Sequence, residues 1–364
     1  MSSVKEKLRA FSDSSLFLPV VALAVLLAFN AIFVDGFLTI SLTEDGRLYG
    51  RMIDILNRSC SLVILALGMT FVIATAGIDI SVGAVVAISA AVVCTLLGGR
   101  GDGVAETPLA LAMLAAVGVG ILCGAWNGLL VAKFKIQAMV ATLILMTAGR
   151  GIAQLMTEGQ IITVYYKPFA YISGVIPGNI LPTNIFIALA MVLLVAFLMK
   201  KTSIGLFIQS VGINPTAARY AGINVTMVIF LVYAFSGFCA GVSGLIESSL
   251  IRAADANNAG LNMEMDAILA VALGGTLLSG GKFYIGGSVI GAVTIQTLTT
   301  TMYALGVSAD QLPVVKAIAV IAICLIQSKK AQEMFAAWKE KHGTGPKAVS
   351  PDPTSIGAKV VNEA

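Results

Sequence analysis

Along the chain, apolar residues gather into runs of roughly 17 to 22, separated by short polar stretches. Inside the runs there is no strict alternation of the kind that marks the strands of a membrane barrel. As helices rising 1.5 Å per residue, such runs are long enough to cross a hydrocarbon layer about 30 Å thick. They fall at 16–34, 59–76, 80–98, 108–131, 138–156, 184–200, 227–249, 266–279, 285–305 and 314–328. The pattern predicts an all-α polytopic membrane protein with about ten transmembrane helices.

Composition and charge sharpen this picture. The 364 residues are 58% hydrophobic and 12% charged, with a mean hydropathy of +0.94, which excludes a soluble domain of this size. With the N-terminus inside, the cytoplasmic segments carry 15 basic residues and the outer segments 8, which accounts for all 23. The positive-inside rule therefore favours cytoplasmic N- and C-termini. Residues 1–15 are then a cytoplasmic N-terminal segment and 16–328 the transmembrane domain, with a cytoplasmic connection at 201–226. Residues 329–364 form a polar cytoplasmic tail, and its Pro-, Gly- and Ser-rich end at 343–364 is expected to be disordered. The first run is too long for a signal peptide and many spans follow it, so it reads as a retained helix. Two long outer segments, 35–58 and 157–183, either dock a partner or cap helix ends.

Little enzymatic chemistry is available. The cysteines (Cys60, Cys94, Cys123, Cys239, Cys324) lie in or beside apolar segments without a CxxC pair and read as packing residues. The single histidine, His342, sits in the tail, so neither a His-based triad nor a metal site is expected. No HExxH, Ser/His or paired-Asp arrangement occurs in the spans. "GGTLLSGGKF" (274–283) departs from a P-loop at both ends: Thr276 stands for the first Gly and Phe283 for the hydroxyl. Nucleotide binding by this chain is therefore rejected.

Two segments read as deliberate breaks. In "TAGIDISVG" (75–83), Gly77 suits a left-handed helix stop and Asp79 an N-cap for the helix that follows, with Ser81 beside it. The run before it is short, so the break lies just inside the membrane, where irregular backbone must line a cavity or be buried in protein. Asp79 is then a structural cap, or it contacts substrate or a proton. A second hint is repetition: "ALGMT" (66–70) recurs as "ALGGT" (272–276), each late in a span and each before a Gly-containing break, as in repeat-built transporters. Glu264 and Asp266 stand at the outer mouth of a span, positioned either for a polar solute or to complement a helix N-terminus. The connection 202–225 encodes one short helix, with Asn214 as N-cap, Pro215 at N1 and Gly222 as stop. A helix of two turns needs a membrane surface or a partner groove to persist.

Four stretches together carry a family resemblance: "LGMTFVIATAGIDISVGAVVAIS", "AWNGLLVAKFKIQAMVATLILM", "GINPTAARYAGINV" and "EMDAILAVALGGTLLSGG". In order and spacing they resemble the membrane permease subunits of ribose/xylose/galactose-type ABC sugar importers. "DGRLYGRMIDILNRS" (45–59) and "IRAADANNAGL" (251–261) look most like the galactofuranose-type permease. Two positions depart from the family's usual pattern: Ala76 stands where Gly is common, and Gln137 where Pro is common.

The resemblance implies a bacterial inner-membrane complex of two permeases, a cassette ATPase that binds ATP and Mg, and a periplasmic sugar-binding protein. The second permease is either a different chain or a second copy. The chain itself would hold no cofactor, and no nucleic acid is implied. Residues 212–222 become the coupling helix, with Asn214, Pro215, Arg219 and Gly222 defining its ends and polar face. A neutral sugar needs only modest hydrogen bonding along the path, and Asn127, Thr142 and Gln296 are the candidate contacts, with helix–helix bonding as their alternative. The rival is a proton-coupled secondary transporter using Asp79 or Glu247.

Overall fold

The computed structural model of the chain describes residues 16–42, 47–98, 105–308 and 310–327. The expected N-terminal segment 1–15 and the tail 329–364 lie outside the described residues. The chain divides into two compact units after Val320; the second is described only over 321–327, the end of the last helix, and the contacts and sites below belong to the first.

Each expected apolar segment overlaps a helix. These are α1 (Phe17–Phe33), α2 (Arg51–Ala74), α3 (Val82–Leu97), α4 (Leu109–Ala132) and α5 (Ala138–Met156). They continue, after a single-turn α6 (Lys167–Ala170), with α7 (Thr183–Lys201), α10 (Val225–Ile251), α11 (Met263–Leu273), α12 (Ile285–Ala304) and α13 (Leu312–Gln327). Between α7 and α10 lie α8 (Ile204–Ile213) and α9 (Pro215–Tyr220). Five helices, α2, α4, α5, α7 and α10, are long and apolar enough to cross a membrane, which makes this a multi-pass membrane protein.

Three expectations are corrected. The span placed at 59–76 begins at Arg51, because nothing between Arg51 and Arg58 breaks a helix and Asp54 and Arg58 pair at i,i+4 along it. The span placed at 266–279 stops at Leu273, since Gly275, Gly280 and Gly281 all adopt positive φ and the chain runs irregularly to Tyr284. The connection 202–225 carries two helices, not one: the apolar decad Ile204–Ile213 is itself helical ahead of the capped short helix.

The helix packing follows from where small residues lie. Gly120 and Gly124 of α4 face Gly237 and Gly241 of α10, and Gly128 faces Phe230, so closely that a Cβ at Gly120 would lie 2.6 Å from the Gly237 carbonyl oxygen. In lipid, where burial of apolar area drives little, such small-residue faces let backbones approach and gain dispersion contacts. Gly287 and Gly291 of α12 do the same against Gly274 and Ala270 at the end of α11. At the centre stands α2, packed by α7, α10, α11 and α12, with its apolar window 83% buried, whereas those of α4 and α7 are only 22% buried. Two short antiparallel pairs fasten the loops: β1 (Ser41–Leu42) with β2 (Leu48–Tyr49), and β3 (Ile162–Thr163) with β4 (Ala253–Ala254).

Candidate functional site

A polar cavity of about 410 Å³ opens where the N-terminal part of α2, the C-terminal end of α10, the loop after β4, and α11, α12 and α13 converge. Arg58 and Ser61 come from α2, Glu247 from α10, Asp255 and Asn258 from the loop, Asp266 from α11, Gln296, Thr299 and Tyr303 from α12, and Lys316 from α13. Its charges are largely satisfied within the protein. Lys316 Nζ donates to both Asp266 carboxylate oxygens at 3.0 and 2.8 Å, and Arg58 Nε to both Asp54 oxygens at 3.1 and 3.0 Å. Ser61 Oγ donates to Glu247, and Asp255 accepts from the Asn257 and Asn258 amides and from Asn258 Nδ2. What the cavity offers a guest is hydroxyls, carboxamides and carboxylate lone pairs rather than an unpaired cation.

The "TAGIDISVG" break lies at the other end of α2. From Ser61 to Ala74 the helix rises roughly 20 Å. It ends in a Schellman motif: Gly77 N donates to Val72 O at 3.0 Å and Ala76 N to Ile73 O at 2.9 Å. The left-handed residue is Ala76, with φ +60°, not Gly77 as expected from its lack of a Cβ. Gly77 is required for a different reason, since a Cβ there would lie 2.6 Å from the Tyr233 hydroxyl.

Beyond the stop, Asp79 accepts the Ser81 amide at 3.0 Å, the Ser81 hydroxyl at 2.6 Å and the Ser236 hydroxyl of α10 at 2.9 Å. Binding the Ser81 amide is the work of a cap, although regular helix begins only at Val82. Asn127 Nδ2 donates to Ser81 Oγ at 2.8 Å, and the Ile80 amide donates to Thr142 Oγ1 at 3.2 Å. Asp79, Ser81, Asn127 and Thr142 are all essentially buried and form one network joining α3, α4, α5 and α10. Among the described residues, no cation pairs with Asp79.

The second break meets the first. Gly281 N donates to Ala74 O at 2.8 Å, so the irregular segment 274–284 closes the open end of α2. Gly212, next to last in α8, fills the remaining gap: a Cβ there would collide with Ala74 O and lie 2.6 Å from Gly281 N. The α8–α9 unit is thus seated directly on both breaks. In α9, Asn214 Oδ1 accepts the Thr216 and Ala217 amides at 3.0 Å each, and Gly222, at φ +83°, closes a second Schellman motif. Ala218 packs beneath it on Val211 and Val225, while Asn214, Pro215, Arg219 and Gly222 are exposed.

Comparison with known proteins identifies the family. The family profile described as "Branched-chain amino acid transport system / permease component" matches residues 51–326. The chain belongs to this permease family. It is 46% identical over 312 residues to the galactofuranose transporter permease protein YtfT of Escherichia coli, covering 85% of this chain and 89% of that one. It is 40% identical over 336 residues to the fructose import permease protein FruF of Bifidobacterium longum, covering 90% and 92%. With the ribose import permease protein RbsC of Escherichia coli it shares 34% over 314 residues, 85% and 92% of the two chains. No solved structure matches the chain significantly.

In this permease the residues singled out from sequence separate into three places. Gly77, Asp79, Ser81, Asn127 and Thr142 are brought together at the first break; Gln296 and Asp266 line the cavity; Asn214, Pro215, Arg219 and Gly222 frame α9. Glu264 does not line the cavity. It is buried against the first turn of α3, where a Cβ at Gly83 would meet its carboxylate and where the helix dipole favours an anion. Sequence reasoning missed Arg58, Asn258, Thr299, Tyr303 and Lys316 as cavity residues. The spacing of Gln296, Thr299 and Tyr303, three and four residues apart on one helix face, was the available signal.

Proposed function

We propose that this chain is the permease subunit of an ATP-binding-cassette importer that carries a neutral monosaccharide inward, energised by a separate ATPase. The observation that carries the sugar assignment is the cavity, whose cations are already paired with carboxylates and whose remaining groups suit a polyol. The family profile is described for branched-chain amino acids, but a zwitterion's carboxylate would meet Asp255, Glu247 and Asp266 with no unpaired cation to receive it. The relatives named for galactofuranose, fructose and ribose support the same choice.

Ten spans with both termini in the cytoplasm, in a bacterial inner membrane, agree with the basic-residue asymmetry. In that orientation the cavity opens outward, toward a periplasmic sugar-binding protein that supplies affinity and specificity. The helix breaks and α9 then lie at the cytoplasmic side. There Asn214, Pro215, Arg219 and Gly222 present a rigid, doubly capped helix to the ATPase, with Ile213 and Tyr220, 70% and 90% exposed, as apolar anchors beside Arg219. A second permease completes the path, as a heterodimer or a homodimer. ATP and Mg belong to the ATPase subunit. Glu247 and Asp79 serve here as hydrogen-bond acceptors, not as proton carriers.

Purification of the chain with its native partners tests this reading. Co-isolation of a cassette ATPase whose activity rises with a sugar-loaded binding protein is the expected result. Transport by the chain alone in vesicles, driven by a proton gradient, would replace it with the secondary-transporter reading.

A further inference from the structure

A second cavity, of about 390 Å³, is lined only by apolar side chains of α2, α4, α7, α8 and α10, among them Phe71, Met199, Phe207 and Phe235. The function proposed above makes no use of it. It borders the turn that joins α7 to α8: Leu198, Met199 and Ile204 line it, and Lys200, Lys201, Thr202 and Ser203 lie between them. The turn is tight, with Thr202 Oγ1 donating to Leu198 O at 2.6 Å and accepting the Ile204 amide at 3.3 Å. Lys200 and Lys201 are therefore held beside the cavity, exposed, and in no ion pair among the described residues. Between Glu158 and Glu247 the chain has no acidic residue at all, so nothing along this stretch neutralises them.

An apolar cavity flanked by α7, whose apolar surface is largely exposed, with two cations unpaired among the described residues at its edge, is complementary to a molecule with an apolar tail and an anionic head. We propose that it holds an acyl chain of an anionic phospholipid, with the headgroup phosphate at Lys200 and Lys201. The tail wedges α8 against Phe71 of α2 and Phe235 of α10, and so steadies the helix whose Gly212 rests on both breaks. A bound anionic lipid is thereby part of the element that links α9 to the membrane core. The topology proposed above enters only in deciding which leaflet supplies the lipid.

The test is photolabelling of the assembled importer in phosphatidylcholine vesicles containing a trace of diazirine-tailed phosphatidylglycerol or, separately, diazirine-tailed phosphatidylcholine. The glycerol probe is expected to label peptides containing Phe207 and Phe235 several-fold more than the choline probe. Lys200→Gln and Lys201→Gln should each lower that labelling roughly fivefold. Ala234→Phe, which fills the cavity and keeps both lysines, should remove it. Equal labelling by the two probes, or labelling indifferent to the lysines, overturns the proposal, as does cross-linking of a second copy of the chain into the cavity. Adding the probe to one leaflet at a time checks the topology separately: a wrong topology changes the labelling leaflet, not the labelling.

Discussion

Ala76 carries the left-handed turn that ends α2, and a residue with a Cβ in that conformation costs about 1 kcal/mol or more. Ala76→Gly should therefore raise the melting temperature of the purified permease; an unchanged or lower value would mean that unfolded-state entropy outweighs the relief. The departure from the family's usual glycine, visible in the sequence, thus has a conformational meaning that only φ revealed. Asp79 accepts three hydrogen bonds from neutral donors, and Asn at this position keeps one acceptor oxygen without the charge. Asp79→Asn is expected to leave sugar uptake within about tenfold of the parent, whereas Asp79→Ala strips buried hydroxyls and an amide of their acceptor and should abolish it. Loss of uptake in the Asn variant would point to an essential ionisation. Lys316 and Asp266 pair with little exposure, so Lys316→Met should destabilise the permease by about 3 kcal/mol, and adding Asp266→Asn should recover most of that; additive losses in denaturation would contradict the pairing.

Among the elements, the joint between α8 and the two breaks links α9 to the core of the permease. Gly212 leaves no room for a methyl group against Ala74 O and Gly281 N, so Gly212→Ala forces these backbones apart. In the assembled importer, ATPase activity should persist while sugar uptake falls at least tenfold; a parallel fall of both would indicate misassembly rather than uncoupling. This joint was not legible in the sequence. The caps of α9 were, because Asn214, Pro215 and Gly222 act within their own few residues. Helix α8 escaped because its ten residues, apolar apart from Gln209 and Ser210, include two glycines that weaken helix propensity, and it packs on Ala74 and on α10. The overlong span at 266–279 has a related reason: hydropathy continues past Leu273, but Gly274 packs on Gly287 and Ser288 of α12 and Gly275 turns the backbone at positive φ.

For the molecule as a whole, the reading requires that uptake depend on ATP hydrolysis. Uptake into vesicles holding the complete complex should be unaffected by collapsing the proton gradient and lost without internal ATP; the opposite dependence would reverse the assignment. The resemblance of four stretches carried the permease reading, and hydropathy and local motifs determined that the chain is a helical membrane protein, roughly where most of its helices lie and where two of them break. These properties depend on partition into lipid and on neighbours a few residues apart, and one dimension records both. Tertiary structure alone decided which polar residues meet. The cavity draws on residues from Arg58 to Lys316, and Asp79 finds Ser236 across 157 positions of chain. Such convergence is set by which small-residue faces allow two backbones to touch, a property of pairs of helices that no single segment carries.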